Sequence, residues 1–390
     1  MLRPCKKKYW GVTGHRAVPP AKTLRRLNDI GVLRDITNLD KLNIPVFLCE
    51  SKGKIYKGKG AIKEEAMASA LMEAVERYSA SLEAHLDMRV FIGRYDEFPN
   101  AINPDELILP DDFLVERRIT WVEGFDLVRE ESVLVPANAV FYPFRREIFK
   151  PNTNGLASGN TLEEAVCHGL AEVIERDAHS LAEAARRTGA TITDVRRSKR
   201  LQTLIERYER AGIHVMIKEI TTDVGVPTFA AVAEDPSRDP RLLLIGVGTH
   251  VNAEVALGRA LAELAQARAT QIYMNTNGGF TEVEEADMRF KLRLGYEGLK
   301  RLNAHWYAET EEKRFDNVES HDNDDILEDI GVMVKKLRRA GLERVVVVDL
   351  TSELRVPVVR VIVPGLEAYA FDDERFGDRC AAITKQLWLG

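Results

Sequence analysis

HGLAEVIERDAH (168–179) is the stretch on which the fold turns, because the chain carries two more like it: SALMEAVERYSA (69–80) and RALAELAQARAT (259–270). Aligned on their first glutamate, Glu73, Glu172 and Glu263 coincide, and three residues on stand Glu76, Glu175 and Gln266. Arg77 and Arg176 follow at once, whereas the third copy has its arginine one place later, at Arg268. Alanine, leucine and glutamate favour helix, so the three stretches predict long helices over 61–86, 161–187 and 253–273. Strand-like runs and a small-residue loop precede each: GKGA (58–61), ASGNT (157–161) and GVGTH (246–250). The unit is β-β-loop-helix, three times, at a spacing of about 90–100 residues that is too long for a solenoid. The expectation is an α+β fold with three pseudo-repeated units around a shared centre.

Working outward, IPVFLCE (44–50) and IYKGKG (55–60) predict a β-hairpin, and a helix is expected over 21–31. Strands are expected at 119–127, 132–142, 213–220, 227–234, 242–248, 344–349 and 357–363. Further helices are expected at 199–211, 283–302 and 323–340, and 151–160 reads as a loop. Thr161 to Glu164 has the pattern of a capping box. No linker divides the chain, which predicts one domain over 1–390: a lead-in and hairpin (1–57) and a core (58–390).

Among 390 residues, 55 Lys and Arg stand against 61 Asp and Glu, a net charge of −6. That mild acidity argues against a nucleic-acid partner, which wants a basic footprint. The 45% hydrophobic content is enough for a sizeable core. Four scattered cysteines form no CxxC pair, so neither structural zinc nor a disulfide framework is expected. Cys49 and Cys167 read as core, Cys167 as a structural thiol ahead of a sulfur relay, and Cys5 and Cys380 as exposed near the ends. MLRPCKKKYW has no apolar signal-peptide region, and RLLLIGVG and VVVVDL are shorter than the ~20 residues of a membrane helix. The expectation is a cytoplasmic protein with no membrane segment. Lys6 to Lys8 read as a solvated edge, and Asp322 to Asp325 as a helix start.

The repeated acids carry the chemistry. Residues three apart share a helix face, so Glu73/Glu76, Glu172/Glu175 and Glu263/Gln266 are same-face pairs. Ser69 lies one turn before Glu73; Glu164 and His168 lie two turns and one turn before Glu172. Their neighbours are mostly Leu, Ala, Val and Ile, where unpaired carboxylates are costly. Mg²⁺, which takes oxygen ligands and bridges carboxylates to phosphates, resolves that cost. The arginines would then clamp phosphate oxygens. Lys59, Ser158 and Asn160 lie in loops at helix starts, where free N–H groups attract phosphate. Neither a Walker loop nor a kinase signature is present, so a nucleotide site here has another design.

At these residues the sequence resembles the YcaO family. GKGAIKEEAMASALMEAVERYSA (58–80), ASGNTLEEAVCHGLAEVIERDA (157–178) and ALGRALAELAQARA (256–269) are similar to its three ATP/Mg motifs in order. The resemblance implies the YcaO fold and a site for ATP and Mg²⁺. Its ATP contacts would be Lys59, Ser69, Arg77, Ser158, Asn160, Arg176, Gln266 and Arg268, with Arg16 and Thr23 as an N-terminal pair. Its metal ligands would be Glu73, Glu76, Glu164, Glu172, Glu175 and Glu263. The implied reaction is ATP-dependent O-phosphorylation of a peptide backbone amide. An external sulfide then gives a thioamide; a side-chain Cys, Ser or Thr gives an azoline, as in biosynthesis of ribosomally made modified peptides. The azoline-forming members end in a PxPxP tail, whereas this sequence reads AAITKQLWLG (381–390). That favours a TfuA-associated thioamide synthetase acting on a glycine of a protein or peptide, such as the thioglycine of the methyl-coenzyme M reductase α subunit in methanogenesis. The alternatives are an azoline cyclodehydratase and a non-catalytic accessory factor for ribosomal-protein modification. A TfuA-like partner, a sulfide source and a homodimer are implied by the resemblance alone.

Overall fold

The computed structural model describes residues 2–11, 14–110, 117–195, 198–278 and 281–389. Its frame is three long helices, Lys63–Ser79, Leu162–Ala185 and Ala253–Asn277. Each lies against a sheet. The first helix covers a three-stranded antiparallel sheet made by Val32–Asp35, Val46–Ser51 and Lys54–Lys59. The third covers one end of a five-stranded sheet in which Thr228–Glu234 pairs antiparallel with Ile245–Thr249. In both, a hairpin feeds directly into the helix.

The seating of helix on hairpin is the same in these two units, down to the atoms. A Cβ on Gly58 would lie 2.2 Å from the Ala66 carbonyl oxygen and 2.1 Å from the Ala70 nitrogen. A Cβ on Gly248 would lie 2.2 Å from the Ala256 oxygen and 2.5 Å from the Ala260 nitrogen. Ala66 and Ala256 both precede their motif glutamate by two turns. Glycine is needed at both strand positions because helix backbone occupies the place of a side chain.

The second unit departs from the expected contiguous repeat. The strand before its helix, Leu156–Ser158, falls inside the stretch read as a loop. It does not pair with the preceding strand, Glu131–Pro136, which belongs instead to Ile119–Asp126. Its partner is Val358–Ile362, about two hundred residues on. Here the glycine sits on the helix: Gly169, three residues before Glu172, faces Val361, whose Cγ2 would be 2.6 Å from an added Cβ. The six-stranded sheet therefore runs Val90–Gly93, Ile119–Asp126, Val346–Asp349, Val358–Ile362, Leu156–Ser158, with Glu131–Pro136 paired to Ile119–Asp126.

Several local expectations are corrected. The first helix stops at Ser79, not near 86, and the chain turns through Leu82–Ala84. Thr161 caps the second helix by accepting from the Glu164 N–H, but the Glu164 carboxylate turns to the Asn160 and Ala17 N–H groups and leaves the box half-formed. Cys380 is fully buried, because Asp378–Leu389 forms a helix that packs on the second long helix. Lys7 is no solvated edge: its ammonium is buried 2.7 Å from Asp329 and donates to the Asn323 carbonyl. Asp325 does cap a helix, Ile326–Arg339. Among the described residues no helix is long and apolar enough to cross a membrane.

Candidate nucleotide and metal site

The inward faces of the three helices bound a cavity of about 530 Å³. The first helix contributes Ser69, Glu73, Glu76 and Arg77; the second Glu164, His168, Glu172, Glu175, Arg176 and His179; the third Arg259, Glu263 and Gln266. Lys57, Lys59 and Ser158 enter from the strands. Twelve of the sixteen residues singled out in the sequence thus line one space.

Strand backbone fixes the acids. Glu73 accepts the Lys57 N–H at 2.7 Å, and Glu263 accepts the Val247 N–H at 3.5 Å, from equivalent places beside Gly58 and Gly248. Glu76 takes both the N–H and the hydroxyl of Ser158, at 2.9 and 2.6 Å, which ties the first helix to the loop before the second. Arg77 lies 3.5 Å from Glu73 and over the Tyr142 ring; Arg176 lies 3.2 Å from Glu172 and 3.8 Å above the Phe371 ring centre. Stacked guanidinium planes are held ready for bidentate contacts.

Six glutamates against five Lys and Arg side chains leave the cavity short of positive charge. Burial, with Glu73 and Glu172 nearby, pushes the Glu76 carboxyl up to about 8 against the pull of Ser158. Burial with Glu263 and Glu172 does the same to Glu175, again to about 8, although Lys59 and Arg176 oppose it. Glu172 is also raised, by burial that outweighs Arg176, Arg360 and Arg77. Glu263 goes the other way: burial is overcome by Lys59, whose Nζ lies 2.5 Å from Oε2, and by Arg176. Burial opposes the charge on Lys59 too, but Glu263, Glu175 and Glu73 raise its pKa. This donor set fits a hard divalent cation, which supplies the charge that the carboxylates lack and accepts only oxygen.

Three of the expected residues stand elsewhere, and a fourth, Arg16, has its side chain outside the described residues. Thr23 is buried behind the wall, where its hydroxyl donates to Asn160 Oδ1 at 2.8 Å. Asn160 Nδ2 in turn donates to Glu164 at 3.2 Å, so both act on the cavity through Glu164. Arg16 ends the strand Gly14–Arg16. Arg268 does not join the cavity: buried, it donates to Asp40 at 2.9 Å and to Asp235 at 2.8 Å. One extra residue turns a helical side chain by about 100°, which carries Arg268 off the face that Arg77 and Arg176 share.

The arginine that the third helix gives to the cavity is Arg259, one turn before Glu263. Its signal was in the alignment, where it matches Ser69 and His168. Lys57, Thr153, Leu156, Ile245 and Phe371 also line it with no advance signal in the motifs.

Comparison with known proteins follows the same lines. The family model for the YcaO cyclodehydratase, ATP- and Mg²⁺-binding, matches residues 57–367. An uncharacterized protein of Methanothermobacter thermautotrophicus is 44% identical over 93% of this chain and 98% of its own. An uncharacterized protein in the tfuA 3′ region of Rhizobium leguminosarum bv. trifolii is 33% identical over 90% of this chain and 88% of its own. The solved structure of YcaO from Methanopyrus kandleri, bound with AMPPCP and Mg²⁺, superposes with a TM-score of 0.78 at 32% identity, covering 96% of this chain and 98% of the other.

Proposed function

The chain belongs to the YcaO family, and on that premise we propose that it is a peptide thioamide synthetase, exchanging the oxygen of a backbone amide for sulfur at the expense of ATP. ATP and Mg²⁺ are its cofactors, as the charge-deficient carboxylate cavity requires. When bound they supply the phosphoryl group that makes amide oxygen a competent leaving group.

The chain's own residues position and neutralise. Glu73, Glu76, Glu172, Glu175 and Glu263 would supply the carboxylates that hold the metal, with Glu164 braced by Asn160 at the edge of the set. Arg77, Arg176 and Arg259 face the phosphates, and Lys59 balances the far side through Glu263. Tyr142 and Phe371 stack against two of these guanidinium groups, which are also paired with Glu73 and Glu172. Neither a nucleophilic side chain nor a triad is needed, because the attacking group comes from sulfide.

Sulfur in place of a side-chain nucleophile is supported by likeness to a protein encoded beside tfuA and to an archaeal YcaO. The substrate is a glycine in a protein or peptide such as the methyl-coenzyme M reductase α subunit, with a TfuA-like protein delivering sulfide to a homodimeric enzyme. The test is intact-mass analysis of that peptide after incubation with ATP, Mg²⁺ and sulfide. A gain equal to exchange of oxygen for sulfur is expected. Loss of one water would mean an azoline, and an unchanged peptide with ATP intact would mean an accessory role.

A further inference from the structure

A second cavity of about 370 Å³ adjoins the first and shares Lys57, Lys59, Glu263 and Gln266 with it. It opens where the third helix breaks the pattern of the other two. Four residues after the motif glutamate, where they carry Arg77 and Arg176, the third helix has Ala267, and Ala267 lines the new space. Three residues after, it has Gln266 in place of a glutamate. Two long charged groups have become a methyl group and a neutral amide. Beyond them lie Thr270 and Met274 of the same helix and Met288 of the helix Glu282–Leu302.

Most of the charges around this cavity are already engaged. Lys291 pairs with Asp287 at 2.7 Å and Arg241 with Asp239 at 2.7 Å, while Glu284 closes a capping box with Thr281. Lys57 and Lys59 stand at the mouth shared with the nucleotide cavity. A phosphate or second nucleotide would look for unmatched cations deeper in, so the wall selects a neutral polar ligand. Thr270 points to one independently. It is 5% exposed, it lines the cavity, and among the described residues its Oγ1 has no hydrogen-bond partner. A buried hydroxyl left unpaired is costly, and a ligand amide would relieve it. Gln266, at the passage, donates and accepts as a backbone amide does.

We propose that this second cavity seats the peptide segment to be modified, and that the reacting amide reaches the nucleotide past Gln266. The inference rests on the function proposed above and adds where its substrate lies. Met274 and Met288 adapt to the flanking side chains, and Thr270 and Gln266 hold the backbone.

The test uses the full chain and two variants, Ala267→Trp, which fills the cavity, and the nearly isosteric Thr270→Val. The probe is a fluorescein-labelled, glycine-containing peptide of the methyl-coenzyme M reductase α subunit, bound in the presence of Mg²⁺ and AMPPCP. Ala267→Trp is expected to weaken peptide binding about tenfold or more while AMPPCP affinity stays within about twofold. Thr270→Val is expected to weaken the peptide less and to leave AMPPCP untouched; it decides the matter should Ala267→Trp fail to fold. Unchanged peptide affinity in both variants, a parallel loss of AMPPCP affinity, or no peptide binding by the unaltered chain would each overturn the proposal. A peptide that binds but is never modified refutes the thioamide reading and leaves the cavity assignment standing. Equal thioamide formation by Ala267→Trp and the unaltered chain does the reverse.

Discussion

Filling the site with metal should expel protons. Glu76 and Glu175 are both buried among other carboxylates and pushed up to about 8. At pH 7 a group with that pKa is about nine-tenths protonated, so the two hold close to two protons between them. Mg²⁺ needs both as carboxylates. Binding of Mg²⁺ with AMPPCP should therefore release about two protons from these side chains at pH 7, about one at pH 8 and almost none above pH 9. Titration calorimetry in HEPES and in Tris reads this directly, because the observed heat differs by the proton count times the difference in buffer ionisation heat. Glu76→Gln and Glu175→Gln should each remove about one proton from the count at pH 7. The sign carries over to stability. A carboxyl whose folded pKa lies above its ordinary 4.5 binds more protons folded than unfolded between those values. These two carboxyls therefore contribute stability to the metal-free protein that is lost as pH climbs from 4.5 toward 8, opposite to the behaviour of salt-bridged carboxylates. Heats independent of buffer at pH 7, or a count unchanged in either variant, would refute the reasoning.

Glu175→Ala should abolish ATP turnover and Mg²⁺-dependent nucleotide binding while circular dichroism stays that of the folded chain; unchanged AMPPCP affinity would remove Glu175 from the metal set. Arg268→Ala strands Asp40 as a buried, unpaired acid and leaves Asp235 only Lys41 at 3.6 Å, and it should cost about 3–5 kcal/mol in urea unfolding, with nucleotide affinity kept in the fraction that folds. Gly58→Ala puts a methyl 2.1 Å from the Ala70 nitrogen, so the first helix must shift off its strand; a lower melting temperature and a weakened metal site should appear together.

The three helices were legible because glutamate recurs at fixed spacing among residues that otherwise favour a buried helix. The face that meets the cavity was legible for the same reason, since a three-residue spacing can hardly point two ways. Arg268 was expected at the nucleotide from the family motif, yet one residue out of phase with Arg77 and Arg176 it faces Asp40 and Asp235 instead. Arg259, four residues before Glu263, was in phase and lines the cavity. Lys7 was misread because a run of three lysines looks solvated until Asp329, more than three hundred residues away, is placed beside one of them. Cys380 was misread for a similar reason, since proximity to a terminus says nothing about which helix covers it. The pairing of Leu156–Ser158 with Val358–Ile362 left no local trace at all. It joins a three-residue strand to a distant one through backbone hydrogen bonds, which no side-chain pattern announces.

That distant pairing sets an order on the life of the chain. A ribosome delivers the first helix and its hairpin early, and the third helix with its own hairpin later; each pair is local and can associate as it emerges. The second helix bears Glu164, Glu172, Glu175 and Arg176, and the strand that seats it at Gly169 is made long after it, after the third helix as well. Until residues 358–362 have left the exit tunnel, the cavity lacks a firmly held third wall. A transcript broken before that point yields a product with all three motifs but only two of their helices seated on their sheets. Competence to hold ATP thus doubles as a certificate that translation ran at least through residue 362.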